Sequence, residues 1–272
     1  MKNLKISVIT TSFNSEKTIV NCIESVLTQT YKNIEFIITD GASTDSTQKL
    51  INVYGNRIQK FISEPDSGIY DGINKGIRIA TGDYILILNS DDNLHDNMVL
   101  EDVSDFIQKV DFPMAIYGKV HAYEKETGYS FSDGRPAKLS DFLKRMNFCT
   151  PAAFVNKHAY EEVGLYNEKY SISSDYEWAI RLFKQYSDSR IIFYDRTVTD
   201  FYVGGTSNRY FKKAYSEIAL IIRDNFPRND YIRHLFYNKS LLIKMSLVLF
   251  LKNTVFIRLW RLLKQNYSNR VK

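Results

Sequence analysis

Two neighbouring carboxylates, Asp91 and Asp92, follow the apolar run Tyr84-Ile85-Leu86-Ile87-Leu88 with only Asn89 and Ser90 between. Adjacent acids repel unless a cation or hydrogen-bond donors hold them. The pair either opens a loop and caps the next helix or seats a positive ion. Thr11 and Asp40 stand in the same relation to two earlier apolar runs, residues 6–10 and 34–39, and Asp175 lies in Ser173-Ser174-Asp175-Tyr176-Glu177-Trp178. Hydroxyls and carboxylates at strand ends suit a ribose, a uracil edge and a metal-bound diphosphate.

The elements that must position these groups follow from periodicity. Pro65, Asp66, Ser67 and Gly68 form a loop, after which Ile69, Ile73, Ile77 and Ala80 recur at helical spacing and Thr81-Gly82 ends the helix. Residues 84–88 are apolar without alternation, as in a strand covered on both faces of a parallel α/β sheet. Ligands bind beyond the carboxyl ends of such strands, which is where Asp91 and Asp92 fall. Residues 6–10 are a strand, and Asn14 or Ser15 is predicted to cap a helix carrying Ile19, Cys22, Ile23, Val26 and Leu27. A strand at 34–39 leads to a helix with Leu50, Ile51 and Tyr54, and a third strand is predicted at 58–62. Three strand-then-helix units followed by a fourth strand predict a parallel sheet.

The chain's 272 residues, 44% apolar and 25% charged, fit one large α/β domain or a domain with an appendage, not a disordered chain. No secretory signal opens it, and Cys22 and Cys149 have neither disulfide nor metal-ligand spacing, so both are expected in a core in a reducing cytoplasm. Gly-x-Gly-x-x-Gly after the first strand and the phosphate-loop pattern are absent, which disfavours a dinucleotide oxidoreductase and a phosphate-loop nucleotidase. The net charge of +5 conceals a split: from Arg228 onward ten Lys or Arg face one acid, Asp230, leaving 26 basic against 30 acidic residues before it. Basic character belongs to the tail, and no basic face interleaved with aromatics points to nucleic acid.

The segments ITTSFN, TDGASTDST and GINKGIRIATGDYILILNSDD, in this order and spacing, resemble the family-two inverting glycosyltransferases. The resemblance covers about the first hundred residues and returns at 173–182. It implies the GT-A nucleotide-sugar-binding fold, a mostly parallel α/β sheet flanked by helices, here with a C-terminal helical tail. It places Thr11 and Phe13 beside the base, Asp40 on the uracil, Asp91 near the ribose, Lys75 toward the diphosphate, and Asp92 on a Mn²⁺ or Mg²⁺ ion. Asp175 falls on the family's catalytic base. Two positions depart from the pattern: Thr39 stands where an acid precedes Asp40, and Asn89 where the metal motif has its leading acid.

Beyond residue 94 a helix is expected around Val99, Val103, Phe106 and Ile107, then a strand at 114–117 and a pairing of 120–123 with 129–131 around Glu126-Thr127-Gly128. Residues 148–154 resemble the family's acceptor-side segment, with Thr150 replacing a common His. Ser174 and Glu177 have capping-box spacing, giving Glu177 a structural role and setting Asp175 at the first helical position. Phe201-Tyr202-Val203-Gly204-Gly205-Thr206-Ser207 resembles the loop that closes over donor. Pro227, with Arg228-Asn229-Asp230 as polar linker, divides a transferase domain, 1–227, from a basic amphipathic tail, 228–272. Lys244 and Lys252 interrupt the tail's apolar run too soon for a spanning helix, so it is expected either on an anionic membrane surface or closing the core.

The expectation is thus a cytoplasmic, metal-dependent inverting glycosyltransferase, peripheral at the membrane. It moves a sugar from a UDP-sugar to a saccharide acceptor, lipid-linked, in surface polysaccharide synthesis. The alternatives are a sugar-nucleotide pyrophosphorylase, disfavoured because Thr11-Ser12-Phe13-Asn14-Ser15 is neither Gly-rich nor basic, and a non-catalytic membrane-surface protein, which leaves the four acids without a role.

Overall fold

The computed structural model describes residues 4–123, 129–202 and 210–237. The chain divides into two compact units, residues 1–221 and 222–272.

The first unit is built on β1 (Ile6–Ser12), every residue of which is buried, and β2 (Ile34–Asp40). The further strands are β3 (Lys60–Ser63), β4 (Tyr84–Ile87), β5 (Asn93–Leu94), β6 (Ala115–Tyr123), β7 (Ser130–Asp133), β8 (Ala153–Asn156) and β9 (Ile191–Tyr202). Among the described residues they form one sheet in the order β3-β2-β1-β4-β8-β6-β9-β5, with β7 on β6. β3, β2, β1 and β4 are mutually parallel, as the strand-then-helix pattern predicts. β8 runs antiparallel to β4 and β6, and β9 runs parallel to β6. The chain leaves β1 toward β2 on one side and reaches β4 on the other. Such a reversal opens a crevice at the strands' carboxyl ends.

Helix α1 (Ile19–Leu27) buries Ile19, Cys22, Ile23 and Val26, and α2 (Thr47–Asn52) buries Ile51. Helix α3 (Ile69–Ile79) turns Tyr70, Ile73 and Ile77 inward. A Cβ on Gly76 would sit 2.4 Å from Ile9 Cγ2, so glycine lets α3 lie close against β1. Helix α4 (Val99–Lys109) carries the predicted stripe, followed by α5 (Lys157–Val163), α6 (Ser174–Gln185) and α7 (Phe211–Asn225). The core joins Val8, Phe36, Leu86 and Phe154 on adjacent strands to Ile23, Val103 and Ile107 on the helices, each burial contributing about 1.5–3 kcal/mol.

Several boundaries differ from expectation. Asn14 and Ser15 do not cap α1: Asn14, at φ 50°, accepts the Thr44 N–H on its side-chain oxygen at 2.9 Å. The Ser15 carbonyl accepts from Thr18 and Ile19, so a turn precedes the helix and Thr18 is its N-cap. The third strand starts at Lys60, because residues 55–57 form a 3₁₀ turn. The strand expected at 114–117 and the one at 120–123 are a single strand, β6, and β7 pairs with its second half; Glu126-Thr127-Gly128 lie outside the described residues. Arg228-Asn229-Asp230 open a helix over 228–237 instead of a linker, the Pro227 carbonyl accepting from Asp230 and Tyr231 N–H. Proline needs no N–H at such a helix start.

Candidate active site

The carboxyl ends of β1, β2 and β4 bring five of the sequence-predicted residues together. Register pairs Thr11 with Thr39, Ser12 with Asp40, and Asp40 with Ser63. The Ser12 hydroxyl donates to Asp40 Oδ1 at 2.9 Å, the Ser63 hydroxyl to Oδ2 at 2.8 Å, and the Ser43 N–H to Oδ2 at 2.9 Å. The Ser43 hydroxyl also donates to Oδ1. A carboxylate offers about four lone-pair sites, so Asp40 is saturated by its own chain. A base N–H reaches it only when a serine hydroxyl turns away. Thr11 is buried, and Phe13 just beyond β1 is 62% exposed, leaving an aromatic ring in solvent at the strand's end.

After β4, the Ser90 hydroxyl meets the Ser15 hydroxyl at 2.8 Å, and the Cys22 thiol lies 3.5 Å from the Asn89 carbonyl, which ties the Asp91-Asp92 turn to the β1 loop and to α1. The Asn89 side chain, standing where an acid was expected, donates to Asp92 Oδ2 at 2.9 Å. Asp92 Oδ1 is buried without a partner. Burial, and then the charge of Asp91, push the Asp92 carboxyl up to about 8. An orphaned carboxylate oxygen beside a second acid is the hard-oxygen donor set that Mg²⁺ or Mn²⁺ takes. The residues therefore fit a divalent cation at Asp92, with half-buried Asp91 beside it. Burial likewise pushes the Cys22 thiol up to about 12, in keeping with a core residue.

Asp66 was missed in the sequence, where it is one loop former among several. A Cβ on Gly41 would lie 2.5 Å from its Oδ2 and one on Gly72 3.4 Å away, so two glycines make room for this carboxyl next to Asp40. Burial raises its pKa, against the Gly68 N–H and Lys75. Lys75 binds Glu64 at 3.0 Å, Asp71 at 3.3 Å and the Pro65 carbonyl at 3.0 Å, and so clamps the loop before α3.

Asp175 stands near the start of α6, half-buried. The Tyr70 hydroxyl on α3 lies 2.9 Å from its Oδ1 and 2.8 Å from the Ile172 carbonyl, and the Tyr176 N–H donates to Oδ1 at 2.9 Å. Burial raises the Asp175 pKa, while Tyr70 and the Tyr176 N–H pull the other way. A carboxyl so balanced suits a proton acceptor. The loop before α6 is fixed by buried Glu217 of α7, which accepts from Ser171 N–H, Ile172 N–H and Ser173 N–H at 3.0, 3.0 and 2.9 Å. Neither Tyr70 nor Glu217 announces this role in the sequence, because each acts across long chain separations.

The capping box does not form. Ser173 is the N-cap, no side chain caps the helix, and the Ser174 hydroxyl is buried without a partner. The Glu177 N–H goes to the Ser173 carbonyl at 3.2 Å. Glu177 is still structural: it binds Arg181 at 2.9 Å, and Arg181 donates to the Val163 and Leu165 carbonyls. Asp175 is the second helical residue, not the first. In the acceptor-side segment, Thr150 opens a 3₁₀ turn and its hydroxyl is also buried and unpartnered. Val203-Gly204-Gly205-Thr206-Ser207 lie outside the described residues.

A sheet whose parallel half ends in a carboxylate-lined crevice, extended by antiparallel strands, defines a GT-A glycosyltransferase. The model of the family "Glycosyl transferase family 2" matches residues 7–164, and the chain belongs to that family. Among curated relatives, a PGL/p-HBAD biosynthesis glycosyltransferase of Mycobacterium tuberculosis is 28% identical over 214 residues, 77% of this chain and 81% of that protein. A chondroitin synthase of Escherichia coli is 29% identical over 181 residues, 65% of this chain and 26% of that protein. Among solved structures, S. aureus TarS 1-349 in complex with UDP-GlcNAc superposes with a TM-score of 0.67 at 18% identity, covering 85% of this chain and 70% of that one. The mannosyltransferase PcManGT from Pyrobaculum calidifontis, in complex with GDP-Man and Mn²⁺, gives 0.63 at 16% identity, covering 86% and 69%.

Proposed function

We propose that this glycosyltransferase moves a sugar, with inversion and with the help of a divalent cation, from a UDP-sugar to a hydroxyl of a lipid-linked saccharide. The observation that carries the proposal is the grouping of Thr11, Phe13, Asp40, Asp91 and Asp92 at the ends of three adjacent strands, with Asp175 held separately by Tyr70. In the proposed complex Phe13 and Thr11 flank the base, Asp40 meets the uracil N–H as a serine hydroxyl turns away, Asp91 meets the ribose, and Lys75 lies toward the diphosphate. The cation, held at Asp92, supplies neutralisation of the charge left on the departing diphosphate. The acceptor oxygen bonds to the anomeric carbon on the face opposite the diphosphate, whose bond to that carbon breaks with its electron pair. The hydroxyl proton passes to Asp175. No second acid is needed to protonate this leaving group, unlike in a glycosidase.

The UDP-GlcNAc complex of TarS supports a UDP-sugar, and the PcManGT complex with Mn²⁺ supports the cation. Relatives named for PGL/p-HBAD biosynthesis and chondroitin synthesis support a glycan acceptor. The lipid link rests on the basic tail: no helix among the described residues is long and apolar enough to cross a membrane, and Ile232, Leu235, Phe236 and Tyr237 are exposed on the helix over 228–237. Basic residues near an anionic surface contribute about 1 kcal/mol each, and apolar side chains anchor the helix. In this proposal residues 1–227 are the transferase domain and 228–272 the membrane-surface tail. The test is a screen of sugar nucleotides with Mn²⁺ and lipid-linked acceptors, read by released nucleotide. Release of UDP dependent on acceptor is the expected result, whereas turnover of GDP-sugars alone, or none of any donor, overturns the proposal.

A further inference from the structure

His95, His121 and Asp200 converge on three neighbouring strands. β5 pairs with β9 so that Asn93 faces Asp200, and β6 pairs with β9 so that His121 faces Asp200. His95 lies two residues beyond Asn93, on the same side of its strand by alternation, and its N–H continues the pairing to the Val198 carbonyl at 2.9 Å. Both imidazoles turn Nδ1 to a single oxygen, Asp200 Oδ1, at 2.6 Å from His95 and 3.1 Å from His121. One ligand atom from each of the three residues lies within 4.8 Å of the others. The rings stand edge to face, 5.8 Å apart.

We propose that His95, His121 and Asp200 form a second divalent-cation site, of zinc type, that braces β5, β6 and β9. Two imidazole nitrogens and a carboxylate oxygen favour Zn²⁺ over Mn²⁺ or Mg²⁺. With Zn–N of about 2.0–2.1 Å and Zn–O of about 2.0–2.2 Å, a tetrahedral ion spaces its ligand atoms about 3.3 Å apart. The 3.1 Å contact is already near that spacing and the 2.6 Å contact must open by under about 1 Å, so small side-chain rotations admit the ion. The three side chains are 37%, 35% and 29% exposed, which leaves the fourth position to water. Each imidazole then carries its proton on Nε2, and a histidine that was charged releases one proton on binding.

The site is separate from the one at Asp92, whose Oδ2 is bound to Asn89 and which is not part of this cluster. It is nevertheless coupled to it by chain continuity, since Asp92 is the residue directly before β5. A cation joining β5 to β6 and β9 fixes the strand from whose start Asp91 and Asp92 project.

The experiment is calorimetric titration of the chelator-treated full chain with Zn²⁺ in the absence of nucleotide, with melting temperature as a second measure. An Asp92→Asn background excludes the other site. One equivalent of Zn²⁺ should bind and raise the melting temperature, with Mn²⁺ binding more weakly. His121→Ala should lose more than the roughly 10–100-fold in affinity that removing an outer partner of a metal ligand costs. His95→Gln serves as a second variant on a solvent-accessible ring should His121→Ala fail to fold. Absence of stoichiometric Zn²⁺ binding, equal affinity in a folded histidine variant, or loss of the site on Asp92→Asn alone would overturn the proposal.

Discussion

Tyr70→Phe removes one hydroxyl and little else. The Tyr70 ring stacks on Tyr166 with centroids 5.6 Å apart, a contact phenylalanine keeps. The hydroxyl has one proton and faces two acceptors, Asp175 Oδ1 at 2.9 Å and the Ile172 carbonyl at 2.8 Å. A hydrogen bond to a charged group contributes about 1.5–3 kcal/mol, and about 1.36 kcal/mol is tenfold in a rate. Because the proton is shared, the lower end applies. Burial raises the Asp175 pKa and Tyr70 pulls it down, so loss of the hydroxyl should raise that pKa further.

The proposed base must be ionised to accept a proton, so the acidic limb of the kcat profile should move to higher pH. On that limb the variant should be about tenfold slower. Above both limbs the two rates should converge, and nucleotide affinity by calorimetry should be unchanged. A uniform loss at every pH with the limb unmoved would refute the reasoning, as Tyr70 would then act through packing and not through the carboxyl. Weakened nucleotide binding would do so as well.

Asp175→Asn should keep donor affinity and lose about 10²–10⁴-fold in transfer, the usual contribution of a positioned base. Glu177→Gln, which loosens Arg181 from α6, should lower the melting temperature with little effect on transfer at saturating substrate; the opposite ranking would move the base to Glu177. Asp92→Asn should abolish Mn²⁺-dependent UDP binding in calorimetry and leave the melting temperature equal or higher, since it removes an ionisable group that burial, and then the charge of Asp91, disfavour in its charged form. Glu35 is buried, which opposes its ionisation, but the Thr81 N–H, the Ser7 hydroxyl and Lys60 bring its pKa down to about 2. A depressed folded pKa stabilises above the ordinary carboxylate range and is lost as pH falls through the folded value. Wild type should therefore exceed Glu35→Gln by about 1–2 kcal/mol near neutral pH, after screening on the lysine side, with the gap closing between about pH 5 and pH 2 in denaturant titrations.

The parallel half of the sheet was legible because its signal is local. Residues 84–88 are apolar on both faces, Ile73 and Ile77 mark the buried helix face although Ile69, expected with them, is exposed, and Gly82 breaks the chain between helix and strand; each feature spans a few residues and depends on no distant partner. The strand ends followed directly, and with them Asp40, Asp91 and Asp92. The antiparallel half was legible only in pieces. Gly118 interrupts the pattern of β6, and a Cβ there would lie 2.5 Å from the Arg196 carbonyl, so the glycine that suggests a break in sequence marks a close approach of β9 within an unbroken strand.

The Asp175 neighbourhood illustrates where local rules stop. Ser174 and Glu177 have the spacing of a capping box, yet the helix begins one residue earlier with Ser173 as N-cap, whose carbonyl accepts the Glu177 N–H at 3.2 Å and whose own N–H is accepted from 44 residues away by Glu217 at 2.9 Å. The carboxylate of Glu217 holds the loop firmly, because a hydrogen bond to a charged acceptor is about twice as strong as a neutral one. With Ser173 as N-cap, Ser174 lies inside the helix, its hydroxyl without a partner, and Glu177 binds Arg181. Asp175 faces neither of them but Tyr70, 105 residues earlier in the chain. The carboxyl that sequence likeness assigns as base thus rests on one local contact, the Tyr176 N–H, and on Tyr70, a partner that no window of the sequence contains and that was therefore not readable.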